Sequence, residues 1–370
     1  MRPLVRAEQA VLGAALIDPG QLARISGWLK PAHFHRPIHA ALYDAMLKLH
    51  RANHPGSLPG AGPEVSLTWV NEAVAEAQNH VRGLTPMYTH TLANACPRPA
   101  HAPAYGRMVL EAATQREVTK HAVRLRQAAR TDALHGGLAH TLGRVEELTR
   151  ALDALGRSWN DGGLPRATVP PTPAVVPPAQ SASEEQITNE RLLLGSLIEN
   201  RVSLEALTDS LREDDFAGPG HGQLFDCLRE LRHRDEPIDS VTVLWEAQRQ
   251  GLLADGTLTG DRIEDIRTNA GAGSAEYLGE RVLRASVLRV AASAARTIHA
   301  LSVDEAMAPG HLIEQANRAL VPLHTVHERW RRLTGRSPSA RSPLPHRAPG
   351  RTARLAEMAV PERSTVRSRT

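Results

Sequence analysis

The chain has 370 residues, 41% of them hydrophobic and 3% aromatic, and a net charge of +4. That length suits two or three ordinary domains, and the apolar content excludes a wholly disordered polymer. No apolar run approaches the roughly 18 residues of a membrane span, the first residues lack the apolar stretch of a signal peptide, and two cysteines cannot make a disulfide framework, so a cytoplasmic, reducing location is expected.

In chain order, an amphipathic segment around Glu8–Ile17 is broken by Asp18-Pro19-Gly20. Leu22, Ile25 and Leu29 then make one helical stripe. After Pro31, the residues Ile38, Leu42, Ala45 or Met46, and Leu49 make another. A Pro/Gly/Ser loop from Pro55 to Pro63 precedes a further helix, with Ser66 as its expected N-cap. Two longer helices are predicted from Tyr105 to about Leu134 and from about Leu138 to Leu155, split at His135-Gly136-Gly137. Such a helical hairpin has little core of its own and needs a partner surface.

The same elements then recur. Gly13 falls on Gly195, Leu22 on Leu204, Leu29 on Leu211, Phe34 on Phe216, Pro37 on Pro219, His39 on His221, Leu42 on Leu224 and Asp44 on Asp226, all 182 positions apart and without a gap. The second copy has a shorter loop, running from Pro237 into Ile238-Asp239-Ser240-Val241-Thr242-Val243, with Ser240 as expected N-cap. Its own hairpin is predicted over Glu276 to about Leu301 and Pro309 to Val326. The fold class is therefore all-α, two copies of a small helical bundle plus hairpin. The expected domains are 1–158 and 186–328, with a Pro-rich linker over 159–185 and a disordered Arg-rich tail over 329–370. The linker is long enough, at up to about 3.5 Å per residue, for the two hairpins to pair within one chain.

Two segments then point to a family. Glu8-Gln9-Ala10-Val11-Leu12-Gly13-Ala14-Ala15-Leu16-Ile17-Asp18-Pro19 and Phe34-His35-Arg36-Pro37-Ile38-His39-Ala40-Ala41-Leu42-Tyr43 resemble the N-terminal domain of DnaB-type replicative DNA helicases. Glu190–Ile198, Phe216, His221, Leu224, Phe225 and Glu236–Val243 resemble it again. Tyr105-Gly106-Arg107-Met108-Val109 with Arg116 looks like the start of that family's hairpin, and Val282 and Arg289 match Val109 and Arg116. The resemblance implies a domain that dimerises through its hairpin, builds the collar of a hexameric ring, helps dock primase and does not itself hydrolyse nucleotide. It also implies structural roles for Gly13, Phe34, Pro37, His39, Leu42, Tyr43, Gly195, Phe216, Pro219, His221, Leu224 and Phe225. The aromatic members of that set read independently as core anchors.

In such a helicase a RecA-like motor follows the collar domain, whereas here a second collar unit follows. A P-loop needs a lysine after a glycine-rich turn. Lys30 precedes Pro31, Lys48 lies in an amphipathic helix, and Lys120 has no glycine near it. No ATP hydrolysis by this chain, and no catalytic residue or cofactor, is expected. His33, His35 and His39 gather near a helix start, but without a neighbouring cysteine and with only His221 as counterpart no metal site is assigned. Residues 331–370 carry ten arginines against Glu357 and Glu362, so the basic balance belongs to the tail and the body is mildly acidic. Arg331, Arg332, Arg336, Arg341, Arg347, Arg351 and Arg354 are candidate phosphate contacts for weak, salt-sensitive, non-specific DNA binding.

The expected function is a non-catalytic scaffold in DNA replication, a primosome-type protein that docks a replicative helicase or a primase as an internal pseudo-dimer or homo-oligomer. The alternatives are a helicase subunit whose motor lies on another chain, and a DNA-binding regulator acting through the tail.

Overall fold

In the computed structural model, residues 3–57, 63–161, 182–254, 256–270 and 274–335 are described; the expected linker (apart from its ends) and most of the tail lie outside them. The first bundle begins with α1 (Pro3–Ile17); Asp18 donates its N–H back to Ala14 O at the helix end, and its side chain accepts Gly20 N to cap the short turn opened by Pro19. It continues through α2 (Leu22–Ile25), α3 (Pro37–Arg51), α4 (Pro63–Gln78) and α5 (Pro86–Asn94). The hairpin of the first copy is α6 (Ala102–His135) and α7 (Ala139–Asp161). The second copy follows as α8 (Glu184–Glu199), α9 (Arg201–Thr208), α10 (His221–His233), α11 (Ser240–Arg249) and α12 (Gly260–Thr268), then the hairpin α13 (Ala275–Val303) and α14 (Pro309–Thr334). Among the described residues there are fourteen α-helices, five short 3-10 turns and no strand.

The repeat is visible in backbone detail. The two non-glycine residues with positive φ among the described ones, Asn53 (55°) and Asp235 (60°), stop α3 and α10 at equivalent positions. Asn and Asp tolerate this left-handed conformation better than most side chains. Gly136 (φ 74°) plays the same part at the end of α6.

Three expectations from the sequence are corrected. Ser240 is the first residue of α11, and Asp239 is its cap, accepting hydrogen bonds from Val241 N and Thr242 N, both at 2.9 Å. A carboxylate accepts two such bonds and favours the positive helix end, so it outcompetes the hydroxyl. Ser66 likewise lies inside α4, which starts at Pro63. The hairpins also run further than expected, α7 to Asp161 and α14 to Thr334. Their last turns are held by Trp159 and Trp330, which are both buried. The helix therefore runs past residue 329, where the tail was expected to begin.

The hairpins pack on each other. Gly136 at the end of α6 accepts a 2.7 Å hydrogen bond from Arg284 near the start of α13. Thr119, midway along α6, donates to Ser302 near the end of α13 at 2.9 Å. The two helices are therefore antiparallel, and α7 packs on α14 beside them. Val118, Ala122, Leu125 and Ala129 of α6 and Leu142, Val145, Leu148 and Leu152 of α7 share one apolar core with Val287, Ala291, Ala295 and Ile298 of α13 and with Leu312, Leu320 and Leu323 of α14. The alanines at this seam let the long helices approach closely. The four hairpin helices thus form an intramolecular layer between the two bundles.

Candidate protein-interaction site

Each bundle is braced by a buried glutamate on its first helix. In the first, Glu8 faces His39 of α3, with Oε2 2.7 Å from the ring Nδ1, and its other oxygen accepts the backbone N–H of His35. In the second, Glu190 faces His221 of α10 at 2.9 Å and accepts Ala217 N at 2.9 Å and Gly218 N at 2.8 Å. One carboxylate thus ties the helix-entry loop and the helix itself to α1 or α8. An ionised carboxylate only accepts, so it orients the histidine through Nδ1–H.

An arginine from the long hairpin helix reaches the same loop in both copies. Arg116 donates to the carbonyl of His33 at 2.7 Å, and Arg289 donates to that of Asp215 at 2.6 Å. Burial lowers the pKa of both guanidinium groups. Burial, Lys30 and Arg116 together hold the His33 imidazole down at about 4, so it stays neutral. Glu8, Glu190, Arg116 and Arg289 are the positions to which sequence reasoning assigned no role. Their signal was their recurrence in both copies, within the segments that resemble the family.

The other motif residues line the same cores. Gly13 lets α1 lie on α5, because a Cβ there would come within 2.1 Å of Leu92 O, and Gly195 does the same for α8 on α12, at 2.4 Å from Ile266 O. Phe34 packs on Tyr43 with ring centroids 4.9 Å apart, and Phe216 on Phe225 at 5.1 Å. Leu42 and Leu224 are fully buried, Pro37 opens α3, and Pro219 lies two residues before α10. His33, His35 and His39 do not converge: His33 accepts Lys30 N, His35 is exposed, and His39 is buried against Glu8. Among the described residues no group of three or more His, Cys, Asp or Glu is placed to hold a metal ion. Both cysteines are buried, and burial raises their thiol pKa, that of Cys227 to about 12, which suits core packing and not nucleophilic chemistry.

Of the candidate nucleic-acid contacts, Arg331 and Arg332 sit exposed on the last turn of α14. Arg336, Arg341, Arg347, Arg351 and Arg354 lie outside the described residues. Apolar surface does reach solvent at matched places on the two bundles. Leu67 of α4 is 66% exposed, and at the equivalent position of α11 Val241 is 74% exposed, with Trp245 one turn on at 69%. Among the described residues no helix is long and apolar enough to cross a membrane.

Comparison with known proteins agrees with this architecture. The family model described as the DnaB-like helicase N terminal domain matches twice, at residues 2–111 and 182–277, which are the two bundles with the first turns of their hairpins. The replicative DNA helicase DnaB of Geobacillus stearothermophilus is 32% identical over 123 residues, 33% of this chain and 25% of that protein. The DnaB of Mycobacterium leprae is 32% identical over 81 residues, 21% of this chain and 13% of that protein. The chain therefore spans a quarter or less of the length of these relatives. A crystal structure of the N-terminal domain of DnaB helicase from Mycobacterium tuberculosis superposes with a TM-score of 0.35 and 23% identity, over 39% of this chain and 99% of that one. With the family model covering more than half of its residues in two separate matches, the chain belongs to the DnaB-like helicase N-terminal domain family and carries that domain twice.

Proposed function

We propose that this protein is a non-catalytic scaffold of DNA replication, a tandem collar-type protein that docks a replicative helicase or a primase in the cytoplasm. The observation that carries this reading is the pairing of the two hairpins within one chain. A hairpin of this kind needs a partner surface, and here each finds it in the other copy. The chain thus brings its own pair and leaves its outer faces free. On those faces the bundles present Leu67, Val241 and Trp245 to solvent. Exposed apolar side chains in matched positions, with an exposed tryptophan added on the second bundle, suit protein contact better than chemistry. The domain division at 1–158 and 186–328 belongs to the same proposal, with hairpin helices completing each domain.

The test is direct binding of the full chain to purified replicative helicase and primase from the same cell, with Val241→Ser and Trp245→Ala as comparators. Binding to either protein that Trp245→Ala weakens supports the reading. Absence of binding to both sinks it, as does robust ATP hydrolysis by the purified chain with or without single-stranded DNA.

A further inference from the structure

A cleft of about 710 Å³ lies where the end of α6 meets the start of α8 and the first half of α13. Its walls come from both copies, with Arg130 from the first and Arg281, Arg284 and Arg289 from the second. Two carboxylates also line it, and both are committed. Asp132 accepts Thr141 N at 2.8 Å and faces His140 at 2.8 Å, and Glu185 pairs with Arg281.

The arginines are less well satisfied. Arg281 gives its terminal nitrogens to Glu185 and the Tyr277 hydroxyl, but its Nε is buried with no acceptor. Arg289 spends Nη2 on the carbonyl of Asp215, while its buried Nη1 lies 3.8 Å from Glu190, beyond hydrogen-bond reach. Arg284 holds the carbonyl of Gly136. Arg130 is exposed and has no hydrogen-bond or ion-pair partner among the described residues. One turn further along the seam, Arg126 Nε and Arg296 Nε and Nη1 are also buried without acceptors, and the charges felt by Arg296 are those of Arg126 and Arg130. Like charges set side by side with unused donors are unfavourable unless an anion joins them. Guanidinium groups match phosphate oxygens with paired, charge-assisted hydrogen bonds.

We propose that this cleft binds a small polyphosphorylated ligand of the nucleotide class, whose phosphates bridge Arg130 of the first copy to the arginines of α13. The volume is that of a small-molecule site and not of a strand-binding groove. Tyr277 lines the cleft, more than half exposed, with the Arg281 guanidinium 5.8 Å from its ring centre, and it offers an aromatic face to a base. Because its walls belong to two copies, the ligand would lock the hairpin layer. The site is independent of which replication protein the outer faces dock.

The test is calorimetric titration of the full chain with ADP, inorganic pyrophosphate, adenosine and a short oligothymidylate. Saturable binding of ADP and pyrophosphate at one site per chain is expected, with none by adenosine. The double substitution Arg130→Gln, Arg284→Gln should weaken ADP at least about tenfold, the scale of one lost charge-assisted contact. Arg331→Gln with Arg332→Gln should leave it unchanged. Should the double variant lose its helical signal, Arg130→Gln alone serves, since that side chain holds nothing in place. The proposal is overturned if ADP does not saturate, if adenosine binds as well as ADP, if the arginine substitutions have no effect, or if the oligonucleotide binds through the same arginines more tightly than ADP.

Discussion

The first bundle has a core cluster of its own: Leu12, Leu42, Trp69 and Leu92 pack together, and from the hairpin Tyr105, Val109, Leu110 and Trp159 join them. In the second bundle, Leu197, Leu224, Phe225 and Ile263 run without a break into α13 and α14 and on into α6 and α7 of the first copy. The polar braces differ in the same sense. His39 uses its second ring nitrogen on the Tyr88 hydroxyl, 2.8 Å away, whereas His221 Nε2 is buried without a partner. At the position equivalent to His33, the second copy has Asp215, which binds Ser286 of α13 and Arg329 of α14. One duplicated sequence has thus been tied down to different degrees: Arg116 bonds the first copy's loop from its hairpin, whereas Arg289, Ser286 and Arg329 all bond the second copy's.

Truncating Phe34 and Phe216 in turn is the strongest way to break this comparison. Each Phe→Ala change should cost about 3–5 kcal/mol. Hydrogen exchange should show Phe34→Ala loosening α1–α5 alone, and Phe216→Ala also loosening α6 and α7. Identical exchange patterns would show that both bundles are equally coupled to the layer. Removing the buried carboxylate comes next, at about 3 kcal/mol, because it strands backbone donors and a histidine. Glu190→Ala should cost more than Glu8→Ala, since it leaves two N–H groups unpaired and Tyr88 has no counterpart; chemical denaturation measures both.

A pH titration separates the copies further. His33 takes up its proton near 4 in the folded chain against 6.5 in an open one. Between those values the unfolded chain binds more protons, so this contribution is complete above pH 6.5 and is lost as pH falls towards 4. Allowing for its partial exposure, the loss is about 2 kcal/mol. Melting temperature against pH should therefore fall in this window, and His33→Asn should flatten the fall. Tyr88→Phe is a smaller change, about 1 kcal/mol, and makes the first brace resemble the second. A thermal melt in which this variant matches the parent would mean that the hydroxyl is not part of the brace. Deleting residues 336–370 should leave the melt untouched and remove any steeply salt-dependent binding to oligonucleotides.

Much of this was legible in the chain. The gapless match from Gly13 to Asp44 and from Gly195 to Asp226 set the two copies in register, and spacings such as Leu22, Ile25 and Leu29 marked buried faces. Helix ends were less legible, because Trp159 and Trp330 extend their helices through tertiary burial that local propensity does not encode. The brace was half legible. His39 and His221 stood out in the motif, but Glu8 and Glu190 lie 31 residues away from them in sequence, and only folding closes that distance.

The sequence by itself determined the all-helical class and the duplication, since periodicity and repeat spacing are properties of the chain, and its motifs carried the resemblance to the family. Only the tertiary structure decided that the two hairpins cover each other and that arginines from both copies gather around one cleft. A helical stripe records that a face must be buried, and what buries it depends on which surfaces meet once the chain has folded.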